Sequence, residues 1–524
     1  MLAQLDRVTG YEPVGQGFES LAAHQQKPRK QAVCVASSFI NNPLYNPLFC
    51  KDGLYYMLTG TLSYESNKYT FILNEDSNEF ILISPLSDES INPLTNFNSI
   101  VFSDNSLIIH EPYLKGIINE THKQIIAFTQ QNSRIKKINN VLYIKLIAYI
   151  IFNANISDEF NQIAFSSDEI DRIFNVNRTL NLGISEIISA SSTGIINIST
   201  KGFEETTSKP QEFVVKGKEV SVYFEINRNI SKNIGKPPLS LNSFLCFKFS
   251  PTDDYSFIWK LCTYAKQFVR FLCYRNNINF TSIKLYSPCE NDKFIQTGNI
   301  FLCNQNQFFE KDPQVFDRCI KYEYISGSEG LILSDIVKSN IYFKHIPKSF
   351  DDGNHIDTAR FIMITSAFEW EFAKSHPDGI TKSERTLKAE KEVSDSLTVL
   401  MNQSTGDKRN KYKFLLRLVK SDSLESKILQ TLKDQSEVLD DFGKYLYKIN
   451  NASFEHTLIS KRISTQRNHY AHGDLDKEFI NESLLDVYFL TLLVYTLQLK
   501  SYSLSITNIQ KSINDLFSVG IDLT

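Results

Sequence analysis

The chain carries no excess of charge of either sign: 56 Lys and Arg stand against 59 Asp and Glu over 524 residues, a formal net charge of -3. That balance excludes a general coat for polyanions, so any nucleic-acid contact has to come from a local basic patch. Its eight cysteines (Cys34, Cys50, Cys246, Cys262, Cys273, Cys289, Cys303 and Cys319) include no Cys-x-x-Cys spacing, and no His lies at metal-ligand distance from a pair of them. They read as reduced, buried thiols rather than a zinc site. Long apolar runs are missing too. Residues 146–152 are too few to span a bilayer, and the stretch 487–499 is interrupted by polar residues. The opening Met-Leu-Ala-Gln-Leu-Asp-Arg places an acid where a secretory signal needs an apolar core. The glycines Gly10, Gly15 and Gly17 follow no strand and do not form a dinucleotide fingerprint. There is no internal repeat. The expectation is a soluble, cytoplasmic protein with no cofactor, no metal and no membrane partner.

What is present is a globular composition, 42% hydrophobic and 22% charged, on a chain too long for one compact core. Residues 1–36 differ from the rest: rich in Gln, Ala and Gly, and closing on Lys27-Pro28-Arg29-Lys30, they read as an N-terminal arm. Residues 37–349 are mostly β in pattern. Aromatic and β-branched residues over 54–64, 69–73 and 80–83 predict strands. Gly217-Lys218, between 212–215 and 220–224, predicts a hairpin. Two helical interludes are predicted, over about 135–152 and after Asp253-Asp254. The second carries Phe257, Leu261, Tyr264, Phe268 and Phe271 at helical spacing. From about 350 helices dominate. Residues 351–354 read as a linker or cap, and Phe361, Ile364, Phe368 and Phe372 form one apolar stripe. Thr381 and Glu384 suit a capping box. Further helices are predicted over 384–402, 409–420, 424–449, 453–472, 477–500 and 504–518. The fold class is α+β, a β-rich N-terminal domain at 37–349 followed by an all-α helical bundle at 350–524.

The most informative segment is Arg467-Asn468-His469-Tyr470-Ala471-His472-Gly473. Its helix is predicted to turn Phe454, Leu458 and Ile463 inward, and Gly473 suits a helix C-cap. His472 then falls in the last turn, where the helix dipole favours a protonated imidazole, as an acid–base residue needs. A second pair, Arg462 and His469, also matches Arg-x4–6-His, but lies roughly 10 Å apart along a helix. On residue types alone, a His that satisfies the last carbonyls beside a surface Arg is the more probable reading of the segment. Lys408, Arg409, Lys411, Lys413, Arg417 and Lys420, interleaved with Tyr412 and Phe414, form the densest basic run. It reads first as a solvated helix face; the functional alternative is a sequence-independent phosphate track.

The segment resembles the signature of HEPN domains: Arg, a polar residue, three more residues, then His. The likeness continues outside it. Residues 357–361 and 367–369 resemble the opening HEPN helix of ApeA-like anti-phage proteins. Residues 58–62 with 69–73, and the strand–helix–strand over 241–287, resemble the β-rich N-terminal domain of the same family. The resemblance covers most of 45–510. It implies an all-α HEPN ribonuclease domain at 350–524 behind a sensor or regulatory domain. It also implies a metal-independent endoribonuclease of abortive infection that works as a homodimer through the HEPN domain, so that two motifs face each other. RNA is the implied partner. Arg467 and His472 would be the catalytic pair, Asn468 a polar helper, and His469 and Glu369 possible supports, Glu369 by reaching Arg467. The apolar residues on several faces of 477–500 are expected to form the twofold interface. The β-rich region is expected to sense a phage-derived protein or nucleic acid and to restrain the nuclease. The alternative class is a HEPN module that only binds RNA or dimerises.

Overall fold

The computed structural model of the chain describes residues 57–64, 67–74, 78–84, 109–130, 132–133, 135–138, 141–184, 196–202, 204–233, 235, 237–289, 294–303, 310, 312–471, 479 and 482–523. The expected arm at 1–36, Cys34, Cys50, and His472 with Gly473 lie outside the described residues. The architecture is α+β, with a strand-rich N-terminal region and an all-helical C-terminal region.

The strands are β1 (Met57–Tyr64), β2 (Asn67–Asn74), β3 (Glu79–Ile83), β4 (Tyr113–Ile118), β5 (Gln124–Thr129), β6 (Lys136–Ile138), β7 (Val141–Phe152), β8 (Phe160–Ser166), β9 (Leu180–Ile184), β10 (Ile196–Thr200), β11 (Gln211–Val215), β12 (Lys218–Ile230), β13 (Leu239–Thr252), β14 (Ser282–Pro288) and β15 (Phe294–Leu302). Six of them hydrogen-bond in a closed antiparallel ring, β1–β2–β3–β7–β5–β4 and back to β1. Alternating positions fill its interior: Phe71 and Leu73, Phe80 and Leu82, Leu114 and Ile118, Ile125 and Ala127. A Cβ on Gly60 would overlap the Ile117 carbonyl and the Phe71 ring, so only glycine lets that ring close.

β7 belongs to two layers. On one edge it pairs first with β3 and then with β15, which leads through β14, β8, β13, β12 and β11 into an open sheet. Its inward set shifts phase: Leu142, Ile144 and Leu146 face the ring, as does Tyr149, while Ala148, Ile150 and Phe152 face the second core. The register with β5 breaks at the same place, between Phe128 and Thr129. A helix is expected over about 135–152, whereas the described residues form strands β6 and β7 instead. Residues 141–147 do alternate, but from 148 the strand is covered on both faces and loses its period of two. The hairpin about Gly217 forms as expected, with β11 and β12 in register from Val215 and Lys218.

The helices are α1 (Asp168–Ile173), α2 (Tyr255–Cys273), α3 (Pro313–Asp317), α4 (Tyr322–Ile325), α5 (Glu329–Val337), α6 (Phe350–Gly353), α7 (Thr358–Ser375), α8 (Glu384–Asn402), α9 (Gly406–Lys420), α10 (Leu424–Asp434), α11 (Ser436–Ile449), α12 (His456–Ala471), α13 (Ser483–Lys500) and α14 (Ile506–Phe517). Asp254 caps α2 by accepting from the Phe257 amide, and Asp357 caps α7 through the Arg360 amide. The α7 stripe, Phe361, Ile364, Phe368 and Phe372, is buried as its spacing predicts. Several boundaries differ. Ser383, not Thr381, caps α8, accepting from the Thr386 amide. The helix expected over 424–449 breaks at Gln435 into α10 and α11. Residues 351–354 fall largely in the short helix α6, capped by Ser349.

α13 is the axle of the helical region. It is apolar all round, and it would be long enough to cross a membrane, yet 83% of it is buried inside the molecule. α7, α11, α12 and α14 pack on it. The strand-rich region covers the rest: Tyr495 stacks on Phe271 with ring centroids 5.5 Å apart, and its hydroxyl donates to the Phe271 carbonyl at 3.0 Å. The faces expected to meet a second copy are therefore covered by the chain itself. One hydrophobic core runs from β8 and α2 through α5 to α13 and α14.

Gly443 on α11 lies under the Phe454 ring, where a Cβ would overlap three ring carbons. Gly443→Ala sets two effects against each other. Helix propensity favours alanine by about 1 kcal/mol, while overpacking costs about 1–3 kcal/mol. The ring is hemmed in by Tyr447 and Phe489, so it has little room to retreat. Gly443→Ala should lower the urea midpoint with an unchanged slope; a raised midpoint would show that the ring moves freely.

Candidate functional site

α12 presents Ile459, Ile463, Gln466 and Tyr470 to the interior, spaced i, i+4, i+7, i+11. Leu458, expected inside, is 39% exposed. Ile459 takes its place, Ile463 is buried as expected, and Phe454 lies before the helix begins. Tyr470 is wedged between Phe361 of α7 and Phe479, at 5.7 and 5.5 Å between ring centroids. That clamp holds the end of α12 against α7 and leaves Arg467, Asn468 and His469 at its surface.

The two arginines of α12 have opposite situations. They lie five residues apart, about 140° around the helix. Arg462 faces α13. Its Nε donates to Asp486 Oδ2 at 2.6 Å and its Nη2 to Oδ1 at 2.8 Å. Asp486 is fully buried and also accepts from the Tyr447 hydroxyl. These bonds push the Arg462 guanidinium further above its ordinary range, through Asp486 first. Arg462 is thus a structural staple, and the alternative pair Arg462 with His469 lacks a free guanidinium.

Arg467 faces α7. Its Nη2 stands 3.8 Å from Glu369 Oε2, and both side chains are more than a third exposed. Such a surface pair contributes about 0–1 kcal/mol. Lys427 of α10 approaches the other oxygen of the same carboxylate, Nζ to Oε1 at 3.7 Å. Two cations share this carboxylate at distances longer than a short hydrogen bond, and Lys427 also feels Asp422, so the Arg467 donors are not locked in place. That is a place where a phosphate can be held, with the Arg fork and the Lys ammonium as donors. Glu369 does reach Arg467, as expected. Lys427 was not anticipated from sequence: it lies forty residues from Arg467 on another helix, and no local pattern marks it.

The remaining candidates are placed as follows. Asn468 is exposed and His469 is half-buried, one and two residues beyond Arg467. Lys408, Arg409, Lys411, Lys413 and Arg417 are all exposed on α9. α9 pairs with α8 as a hairpin. At the hairpin's base Lys382 bridges Glu390 at 2.9 Å and Asp422 at 3.0 Å. Leu387, Val399, Phe414 and Leu418 are exposed on the same hairpin. Five of the six described cysteines are buried, Cys289 being exposed, and all six are free. Among the described residues no group of three His, Cys, Asp or Glu is arranged to hold a metal ion. No family model, curated protein or solved structure matches this chain.

Proposed function

We propose that the chain is a metal-independent endoribonuclease of the HEPN type, acting in the cytoplasm as an effector of anti-phage abortive infection. The observation that carries this reading is the contrast on α12: Arg462 is locked to a buried acid, whereas Arg467, in the signature segment, is held only loosely at solvent beside Lys427. The chemistry suits those groups. RNA supplies the nucleophile as its own 2′-hydroxyl. The 2′-oxygen forms a bond to phosphorus while the bond to the 5′-oxygen breaks, leaving a 2′,3′-cyclic phosphate and a 5′-hydroxyl. His472 would take the first proton or give the second. Arg467 would grip the phosphate and stabilise charge on its outer oxygens. Asn468 would orient the His or the phosphate.

One such motif offers few groups, so the reading includes a homodimer with two motifs facing. α13 is spent on the chain's own core, and the exposed apolar residues of the α8–α9 hairpin are the surface that fits a second copy. The strand-rich region would sense a phage-derived protein or nucleic acid. A second reading, RNA binding without cleavage, is favoured by the solvent-facing cations of α9.

One experiment separates the two. The purified chain is incubated with a labelled RNA in chelator, beside the same strand carrying a 2′-deoxy residue at the cleaved position. Cleavage of the first with cyclic-phosphate ends, and resistance of the second, is the expected result. Binding of both strands without cleavage supports the second reading. Activity lost in chelator and restored by magnesium overturns the mechanism.

A further inference from the structure

Of the chain's two tryptophans, Trp259 stacks on Phe128 in the strand-rich region, with ring centroids 5.5 Å apart, whereas Trp370 stands 44% exposed on α7. An indole left at solvent gives up the burial its large apolar face would gain. Trp370 is nevertheless held in place. Its Nε1 donates to the Asn340 carbonyl at 2.9 Å. That oxygen also accepts from Lys374 Nζ at 3.2 Å. Asn340 is itself tied back to α5: its amide donates to the Asp335 carbonyl at 2.8 Å and its Nδ2 to Asp335 Oδ1 at 3.0 Å. Tyr342 flanks the indole at 6.4 Å between centroids, and its own hydroxyl donates to Met363 Sδ at 3.4 Å. The polar edge of the indole is therefore spent and its position fixed, while ring surface remains at solvent.

Trp370 directly follows Glu369, so the two side chains leave α7 about 100° apart. Glu369 marks where Arg467 and Lys427 stand, at 3.8 and 3.7 Å from its carboxylate. Ala373 and Ser366 fall between the two, at about 40° and 60° around the helix from Glu369. Both are small. Ala373 is exposed, and the Ser366 hydroxyl donates to the Ile362 carbonyl of its own helix at 2.7 Å. The surface between guanidinium and indole is thus low and uncharged. On a helix about 10–12 Å across, side chains so placed end about 8 Å apart, a reach that one nucleotide covers from phosphate to base.

We propose that Trp370 is the base-stacking residue of the Arg467 site: single-stranded RNA crosses α7 with a phosphate at Arg467 and the adjoining base on the indole. This rests on reading the Arg467 site as one that binds RNA. A phosphate contact by itself lets a strand slide and turn, whereas a stacked base fixes it. Every base has a flat face, so stacking here is indifferent to sequence. Double-stranded RNA, whose bases are already stacked on one another, cannot use the indole.

Binding to the full chain tests this apart from cleavage. The probe is a short single-stranded 2′-O-methyl RNA, which has no free 2′-hydroxyl to attack; the control is the same backbone with abasic sugars. The RNA should quench tryptophan emission, and the control should leave it unchanged. Trp259→Phe should keep the quenching and Trp370→Phe should abolish it. Trp370→Ala should weaken the RNA at least fivefold. It should leave the salt slope of binding unchanged, since no phosphate contact is lost, whereas Arg467→Ala should lower that slope by about one. Ala373→Glu, at an exposed position, keeps the indole and sets an acid across the path, so it too should weaken the RNA. If the RNA binds Trp370→Ala and Ala373→Glu as it binds the wild type, the stacking proposal is overturned and the RNA reading of Arg467 stands. If no RNA binds the wild type, both fall together. A Trp370→Ala variant that changes sedimentation but not RNA affinity makes the indole a protein contact and likewise overturns the proposal.

Discussion

Arg467→Ala abolishes RNA cleavage and leaves the fold untouched: that is the expected result, with a rate loss of about 10²–10³-fold or more, as for removal of a charge-stabilising donor. The two halves of the expectation rest on the same geometry. The ion pair of Arg467 is a 3.8 Å contact to a half-exposed Glu369. Such pairs contribute about 0–1 kcal/mol, so the melting temperature should barely move. A guanidinium that grips the phosphate in the transition state contributes several times that to the rate. His472→Ala should match it, because the two groups act on one phosphodiester and neither works alone. Lys427→Ala should weaken RNA binding more than it slows bound-state cleavage, as expected of a cation that positions the backbone. Cleavage at the wild-type rate by either Arg467→Ala or His472→Ala, in protein that melts normally, would refute the site.

The largest effect on stability is expected at Asp486. Asp486→Ala removes the carboxylate that Arg462 and the Tyr447 hydroxyl share, at the centre of the α11, α12 and α13 contact. The guanidinium loses its buried acid while keeping partial access to solvent and to Glu482, so the cost stays at or below the about 3–5 kcal/mol of a fully buried broken pair. Asp486→Asn keeps the shape and an acceptor and should cost less. The double replacement Arg462→Met with Asp486→Leu should recover most of the loss, because neither charge is then stranded. Urea unfolding measures all three, and equal midpoints for Asp486→Ala and the wild type would show the staple to be idle. Arg462 and Arg467 should thus separate cleanly, one moving stability and the other moving rate.

The shared core also bears on how the proposed nuclease activity could be controlled. Cutting the chain at 350 would strip Tyr495 of Phe271 and Tyr274, and bare the side of α13 that α2 covers. The helical region shares its core with the strand-rich region, so the proposed restraint is tested in the full chain, through residues at the seam.

Much of this protein follows from local sequence. The α7 stripe, the Asp254 cap of α2, the Gly217 turn and the limits of α8 depend on neighbours within four residues, and those interactions are the same in any fold. The α+β order of the chain and the segment 467–471 at a helix end are legible for the same reason. Other features depended on what packs where. Residues 146–152 are apolar without a period, and only pairing with β5 and β15 makes them a strand covered on both faces. The all-round apolar surface of α13 suggests a second copy until Phe271 and its neighbours are seen to cover it; composition states how much must be buried, never by whom. Arg462 and Arg467 are equivalent in sequence, two arginines five apart on one helix. Only the tertiary structure places a buried acid from α13 beside the first, and a solvent-facing carboxylate shared with Lys427 beside the second. Charge carries no information about its partners until the chain has folded around it.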